Sequence, residues 1–179
     1  MTVATTDYSF VTVWRVAGTR EEAIQVLARV EDLPRWWPSV YLQVVLLEPG
    51  GPDGLGRRAA LFTKGWLPYA LHWDLEVTEP ITPEGFAIAA SGDLNGTGRW
   101  TLSQDGPETV IRYDRDVSVG KPLLRRLSWL LKPAFAANHR WAMARGHESL
   151  ALELRRRGAP DRRTREAVPP APGPTFRRR

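Results

Sequence analysis

The 179-residue sequence contains no cysteine, and only three histidines and two methionines. The absence of cysteine excludes a disulfide scaffold, a thiolate metal site and a cysteine nucleophile. His72, His139 and His147 do not form a His-x-x-x-His pair, so we expect no metal site. A Gly-x-Ser-x-Gly elbow, a phosphate-binding loop and a dinucleotide fingerprint in a strand-to-helix context are also missing from the sequence. The sequence therefore predicts no cofactor.

Long apolar runs are scarce as well. A transmembrane helix needs about 20 apolar residues, and the longest candidates, such as Val40–Leu47, are far shorter. The first ten residues lack the basic region and the apolar region that make up a secretory signal peptide. We therefore expect a cytoplasmic protein with no transmembrane segment.

Basic residues are concentrated at one end of the chain. The net charge is +5, but residues 155–179 hold nine arginines against Asp161 and Glu166, which gives +7 there and leaves −2 for residues 1–154. A body of −2 argues against nucleic acid as a partner. Five prolines and few apolar residues predict disorder in 158–179. We divide the chain into a domain at 1–157 and a disordered Pro/Arg-rich tail at 158–179, which either is solvated or makes transient membrane contact.

Seven segments have the composition, the alternation and the flanking turn signals that are typical of strands. One strand precedes a helix and six follow it in hairpin-like succession, an order that favours an antiparallel sheet. The predicted strands are Tyr8–Ala17, Val40–Leu47, Arg57–Thr63, Leu67–Thr78, Gly85–Ala90, Gly96–Ser103 and Thr109–Val119.

Two helical regions accompany these strands. Thr19 and Glu22 match a capping box that starts a short amphipathic helix. Pro122 to about Arg157 is rich in Leu, Ala, Arg and Trp, and predicts one long helix, either continuous or interrupted at Pro133. We predict an α+β fold in which a curved seven-stranded antiparallel sheet wraps around this long C-terminal helix, with one or two short helices after strand 1.

Three glycines bear on the space between the sheet and the long helix. Alternation places Gly96 and Gly98 on the inner face of their strand, and Gly146 shares the inward helix face with Met143 and Leu150. Either the missing side chains leave a cavity, or they mark bends and close approach of strand and helix. The eight tryptophans also have two interpretations: they are core residues, or they form the aromatic walls of a small-molecule pocket.

Two polar residues are candidates for ligand contact. Alternation turns Arg115 inward with Tyr113 and Val117, unless a bulge inverts the phase of the last strand. A buried guanidinium is costly without a partner, and its fork of donors suits a ligand anion or enolate. His139 lies on the inward helix face, where it is a ligand contact, a general base or a core histidine.

Several segments, in their order along the chain, resemble a known family. They are Val30-Glu31-Asp32-Leu33-Pro34-Arg35-Trp36-Trp37-Pro38, Leu67-Pro68-Tyr69-x-Leu71, Gly92-Asp93-Leu94-x-Gly96-x-Gly98-x-Trp100-x-Leu102, Lys121-Pro122, Pro133-x-Phe135 and Asn138-His139. Over about residues 8–157 the chain resembles the SRPBCC group, the bacterial polyketide cyclase/dehydrase and lipid-transport proteins of the START/plant-allergen-like superfamily. The resemblance implies a helix-grip fold with an apolar cavity between sheet and helix. Relatives tend to carry a bulky aromatic residue at the position of Arg115, so the resemblance implies a pocket here that is either more polar or differently used.

The resemblance leaves two functions open. The first is binding, with or without transport, of a hydrophobic or aromatic small molecule that is lipid- or polyketide-like. The second is a polyketide aromatase/cyclase, in which Arg115 would stabilise an oxyanion while His139 or Tyr69 acts as acid or base. The oligomeric state stays open. The candidate ligand-binding residues are Trp37, Phe62, Tyr69, Trp73, Trp100, Tyr113, Arg115, His139 and Met143.

Overall fold

A computed structural model describes residues 8–119 and 128–176. It confirms seven strands in one antiparallel sheet, and each lies within a few residues of its predicted position. The strands are β1 Tyr8–Ala17, β2 Tyr41–Glu48, β3 Arg58–Lys64, β4 Ala70–Val77, β5 Gly85–Gly92, β6 Leu94–Asp105 and β7 Glu108–Val119.

The first strand closes against the last one. The sheet has the order β1-β7-β6-β5-β4-β3-β2, so every neighbour except the β1–β7 pair follows in sequence. Both β6 and β7 are twelve residues long and pair along their whole length. β1 and β2 form the two edges, and the curved sheet faces the long helix with its inner surface.

Helices lie after β1 and at the end of the described chain. The capping box is confirmed, because the Thr19 hydroxyl accepts from the Glu22 amide at 3.2 Å and the Glu22 carboxylate accepts from the Thr19 amide at 2.8 Å. The long helix contains Pro133 without interruption, and the predicted stretch at 120–127 lies outside the described residues. The helices are α1 Arg20–Leu27, a 3-10 turn Val30–Asp32, α2 Leu33–Trp36, α3 Ser128–Arg157 and α4 Arg162–Glu166.

The predicted alternation holds in the strands that face α3. Trp73, Leu75 and Val77 of β4 are buried, while the alternate residues His72 and Glu76 are exposed and Asp74 is half-buried. The predicted inward face of α3 is also buried along its length from Met143 to Leu154. One apolar core therefore lies between the sheet and this helix.

The three inward glycines do not leave the vacancies that one interpretation predicted. A Cβ on Gly98 would lie 2.7 Å from the Tyr113 hydroxyl, and a Cβ on Gly146 would collide with the indole of Trp37. Gly96 has φ +145°, and a Cβ there would meet the carbonyl of Asp116. Each glycine permits close approach of another group, so the alternative interpretation is the correct one.

A buried ion cluster fixes the C-terminal end of α3. The Glu153 carboxylate, only 2% exposed, accepts hydrogen bonds from Arg35 at 3.0 Å, Arg157 at 2.8 Å and Arg156 at 3.1 Å. Burial alone would raise the pKa of Glu153, but the hydrogen bonds from Arg35 and Arg157 hold that pKa below its usual value. Because Arg35 belongs to α2, the cluster ties the two helices together.

The tail beyond α3 has a defined course in the structure. Asp161 caps α4 by accepting from the Thr164 amide at 2.8 Å, and the Arg156 side chain donates to the carbonyl of Pro169 at 2.9 Å. The chain then reaches β3, where the Lys64 ammonium lies 4.2 Å from the centre of the Phe176 ring. Disorder of this segment in solution stays a prediction.

The contact between Gly146 and Trp37 predicts that an alanine at position 146 destabilises the protein, which is the opposite of its usual effect in a helix. Replacing a helical glycine by alanine ordinarily stabilises a helix by about 1 kcal/mol. Gly146→Ala should instead lower the free energy of unfolding by about 1–3 kcal/mol, because the new methyl group overpacks against the indole. Urea denaturation measures the change.

The same substitution in a Trp37→Phe variant tests whether the Trp37 indole causes the destabilisation. The atoms in conflict belong to the six-membered ring of the Trp37 indole, which a phenylalanine ring does not reproduce. In Trp37→Phe protein, Gly146→Ala should therefore cost much less. An equal loss in both backgrounds would show that another contact is responsible.

Candidate functional site

A cavity of about 120 Å³ lies between the inner face of the sheet and the first half of α3. Phe135, Ala142 and Met143 form the helix side of its wall. Strand residues close the opposite side, among them Leu71 and Val117. The wall is mostly apolar and aromatic, as a binding pocket for an apolar molecule requires.

A tryptophan cluster closes the second half of the same gap. Trp37 packs against Gly146, and its ring lies 5.7 Å from that of Trp14, which in turn lies 5.5 Å from Trp100. Trp100 stacks on Tyr113 at 3.9 Å. A separate void of about 40 Å³ lies between the sheet and residues of α1 and α2, and Trp37 and Trp100 line it. The cavity lies beside this cluster of Trp14, Trp37 and Trp100, none of which lines it.

The predicted site residues divide into three groups. Five of the nine line the cavity, three surround the separate 40 Å³ void, and Phe62 lies on the outer face of the sheet. In β3 the buried residues are Ala59, Leu61 and Thr63, so alternation turns Phe62 outward, where it stacks on His72 at 4.4 Å. The cavity group is Tyr69, Trp73, Arg115, His139 and Met143, and the void group is Trp37, Trp100 and Tyr113, while Trp73 borders both.

Several wall residues were not predicted. Phe10 lines the cavity, and the alternation of buried Tyr8, Trp14 and Val16 along β1 could have revealed its inward direction. Lys64 lies at the very end of β3, where alternation gives no reliable phase. Lys64 nevertheless borders the cavity, at the point where β3 ends.

Arg115 faces the cavity, as the phase of β7 predicted. Its strand neighbours are Phe10 of β1 and Gly98 of β6, so one side offers an aromatic ring and the other offers no side chain. Asp114, which precedes it, points to the other face and pairs with Arg112 at 2.7 Å. In the described part of the chain, no carboxylate lies within salt-bridge distance of the half-buried Arg115 guanidinium.

His139 is neutral in this environment. Its ring stacks on Phe10 at 3.9 Å, and its Nε2 is buried with no hydrogen-bond partner among the described residues. Burial lowers the pKa of His139 to about 3, and the positive charges of Arg115 and Arg140 add to the effect. A histidine with this pKa is a poor general base, but its free ring nitrogen can exchange a hydrogen bond with a ligand.

The tyrosines at the cavity keep their protons. Burial raises the pKa of Tyr69 to about 12, with a smaller effect from Tyr8. Burial also raises the pKa of Tyr41 and of Tyr113, although the nearby Arg115 charge opposes the shift. These phenols are therefore hydrogen-bond donors at neutral pH.

Asn138 ties α3 to the loop that borders the cavity. Its side-chain oxygen accepts from the backbone amides of Trp66 at 3.0 Å and Leu67 at 3.4 Å. A Cβ on Gly65 would collide with this amide group, so the loop approaches the helix closely only because residue 65 is glycine. Asn138 thus sets the position of His139, the next residue on the helix.

Comparison with known proteins agrees with this architecture. The family model for polyketide cyclase / dehydrase and lipid transport matches residues 8–155. The chain belongs to this family. No curated protein sequence matches the chain. Within the described residues no helix is long and apolar enough to cross a membrane.

Solved structures share the fold at low sequence identity. A protein from Thermus thermophilus is 13% identical with a TM-score of 0.67, over 85% of this chain and 100% of that one. The Zhui aromatase/cyclase from a Streptomyces species is 15% identical with a TM-score of 0.66, over 86% and 96%. A START superfamily protein from Mycobacterium smegmatis is 20% identical with a TM-score of 0.55, over 76% and 98%.

The neutral state of His139 predicts a pH dependence of stability. An unfolded chain protonates this histidine near pH 6.5, whereas the folded protein does so only near pH 3. The unfolded state thus binds more protons between these values, so stability falls as the pH falls, by at most about 1.4 kcal/mol per pH unit. His139→Phe, which keeps a ring against Phe10, should remove this contribution.

Urea denaturation of both proteins between pH 4 and 7.5 measures the difference. Carboxylates titrate in the same range, so the informative quantity is wild type minus variant. A difference that does not change with pH would contradict the neutral assignment, as would an imidazolium signal of His139 in NMR spectra at pH 5.

Proposed function

We propose that the protein binds a hydrophobic or aromatic small molecule, lipid- or polyketide-like, in the cavity between the sheet and α3. The observation that carries this proposal is an aromatic and aliphatic wall that holds a few separated polar groups instead of a filled core. Family membership supports the same class of ligand. Binding takes place in the cytoplasm on this proposal, and transient membrane contact of the Arg-rich tail would be secondary to it.

The size of the cavity limits what it takes without rearrangement. An engineered cavity of about 150 Å³ holds one benzene molecule, and this cavity measures about 120 Å³. One aromatic ring or a short branched chain therefore matches the enclosed space. A longer ligand would extend past Lys64 or displace a wall residue such as Phe135.

The protonation states favour binding over acid–base catalysis. General bases work best with a pKa near the operating pH, whereas the pKa of His139 is about 3 and that of Tyr69 about 12. Within the described residues, no carboxylate lines the cavity. The groups around a bound molecule are thus suited to orienting it.

A polyketide aromatase/cyclase is the second candidate. Its specific support is that Arg115, Tyr69 and His139 line the same cavity, together with the fold shared with an aromatase/cyclase. Arg115 would stabilise the enolate oxygen during aldol closure, and Tyr69 would donate a hydrogen bond to a carbonyl. Much of the rate would come from folding the chain into a reactive pose.

Filling the cavity tests binding. Ala142 lines the cavity, whereas Ala144, two residues later on the same helix, is exposed on another face. Ala142→Phe should abolish binding of a neutral aromatic probe such as indole, measured by calorimetry, without loss of stability, because the ring enters empty space. Ala144→Phe is the matched control and should bind indole as wild type does. Equal binding by both variants would place the ligand elsewhere.

Native mass spectrometry of protein from its own host separates the two functions. A co-purifying apolar molecule that is lost in Ala142→Phe identifies a binding protein and its ligand class. Turnover of a poly-ketone mimic that falls in Arg115→Ala and in Tyr69→Phe would instead establish the cyclase.

A further inference from the structure

The charges at the cavity are all of one sign. Arg115 and Lys64 line it, and the Lys132 ammonium lies 5.8 Å from the ring of Tyr8, another wall residue. No aspartate or glutamate of 8–119 or 128–176 lines the cavity. The site thus attracts negative charge, although the body of the protein carries −2.

Arg115 is the cation inside this site. Other arginines of the sheet have carboxylate partners, for example Arg112 with Asp114 at 2.7 Å and Arg99 with Glu79 at 2.8 Å. Arg115 has no such partner among the described residues, and Asp116 beside it is exposed on the outer face. A half-buried guanidinium among apolar groups is therefore stabilised by water or by a ligand.

The groups around Arg115 do not neutralise it. His139 is uncharged, and its buried Nε2 has no partner in the described chain. Tyr41 and Tyr113 lie close enough to feel the Arg115 charge, and both retain their protons. Lys64 also borders the cavity, but its ammonium lies 4.2 Å from the centre of the Phe176 ring, which does not line the cavity.

We propose that the ligand is an amphipathic monoanion, a carboxylate on an apolar body, whose carboxylate pairs with Arg115 while its body occupies the apolar part of the cavity. This inference rests on the proposed binding function. The planar guanidinium matches a carboxylate with two parallel hydrogen bonds. A single negative charge fits because one guanidinium lies inside the cavity, and a dianion would leave charge uncompensated among apolar walls.

Pairs of probe ligands that differ only in charge test the contribution of the carboxylate separately from that of the apolar body. Cinnamate and cinnamamide share an aromatic body, octanoate and octanamide share an aliphatic one, and only the first member of each pair is an anion. The full-length protein should bind the carboxylate of at least one pair about 10- to 100-fold more tightly than its amide, the range expected of hydrogen bonds to a charged group. Calorimetry measures all four affinities, and the preferred pair identifies the body.

Three variants locate the effect. Arg115→Met should weaken carboxylate binding about 10- to 100-fold and amide binding much less, which removes the preference, whereas Arg115→Lys should retain part of the preference. Arg112→Met, on the outer face of the same strand, is the matched control and should keep the preference of wild type. A carboxylate preference that survives Arg115→Met would assign the anion to another site, such as the Arg-rich tail, and overturn the proposal.

The outcomes separate this inference from the proposed function. If amide and carboxylate bind equally and Ala142→Phe blocks both, the cavity binds apolar molecules and only the anion proposal is overturned. If none of the four probes nor indole binds wild type, the binding function itself is overturned. Circular dichroism of each variant checks that the fold is retained.

Discussion

The contact between Gly146 and the indole of Trp37 determines which part of the gap between the sheet and α3 is filled. Because the helix has no side chain at position 146, the ring of Trp37 lies directly against its backbone. Trp14 then packs against that ring and Trp100 packs against Trp14, so that the three indoles fill one half of the gap between sheet and helix. The other half, beside Phe135 and Met143, stays open. A small residue on the helix therefore produces a filled region, and the cavity lies next to it.

Anchors of different chemistry hold the two ends of α3. At the C-terminal end the buried Glu153 carboxylate binds Arg35 of α2. At the cavity end, Asn138 accepts two backbone amides from the loop after β3. A buried carboxylate with several arginine partners is costly to break, whereas two neutral hydrogen bonds contribute about 1 kcal/mol each. Of these two anchors, the buried ion cluster is thus the stronger one.

Periodicity in the sequence predicted the elements well, because alternation and helical spacing are local properties. The phase of β7, twelve residues without a bulge, correctly placed Arg115 inward. Phe62 shows the limit of this method, because alternation along β3 gives two sets of residues but does not say which set faces the core. The glycines show another: a missing side chain predicts free space, but distant residues such as Trp37 and Tyr113 fill it. Whether a glycine leaves free space therefore depends on the tertiary structure, which the local sequence pattern does not show.

One physical effect, removal from water, explains the protonation states of the polar groups in the cavity. Removal from water penalises charge, so His139 is neutral and Tyr69 keeps its proton, while a guanidinium cannot give up its charge in the same way. Arg115 therefore stays charged beside neighbours, such as His139, that are neutral. Water at the cavity can stabilise it, but a ligand that displaces this water must replace its hydrogen bonds or lose affinity. An apolar molecule without an acceptor would leave Arg115 unpaired, so on our proposal it would bind more weakly than a carboxylate with the same apolar body.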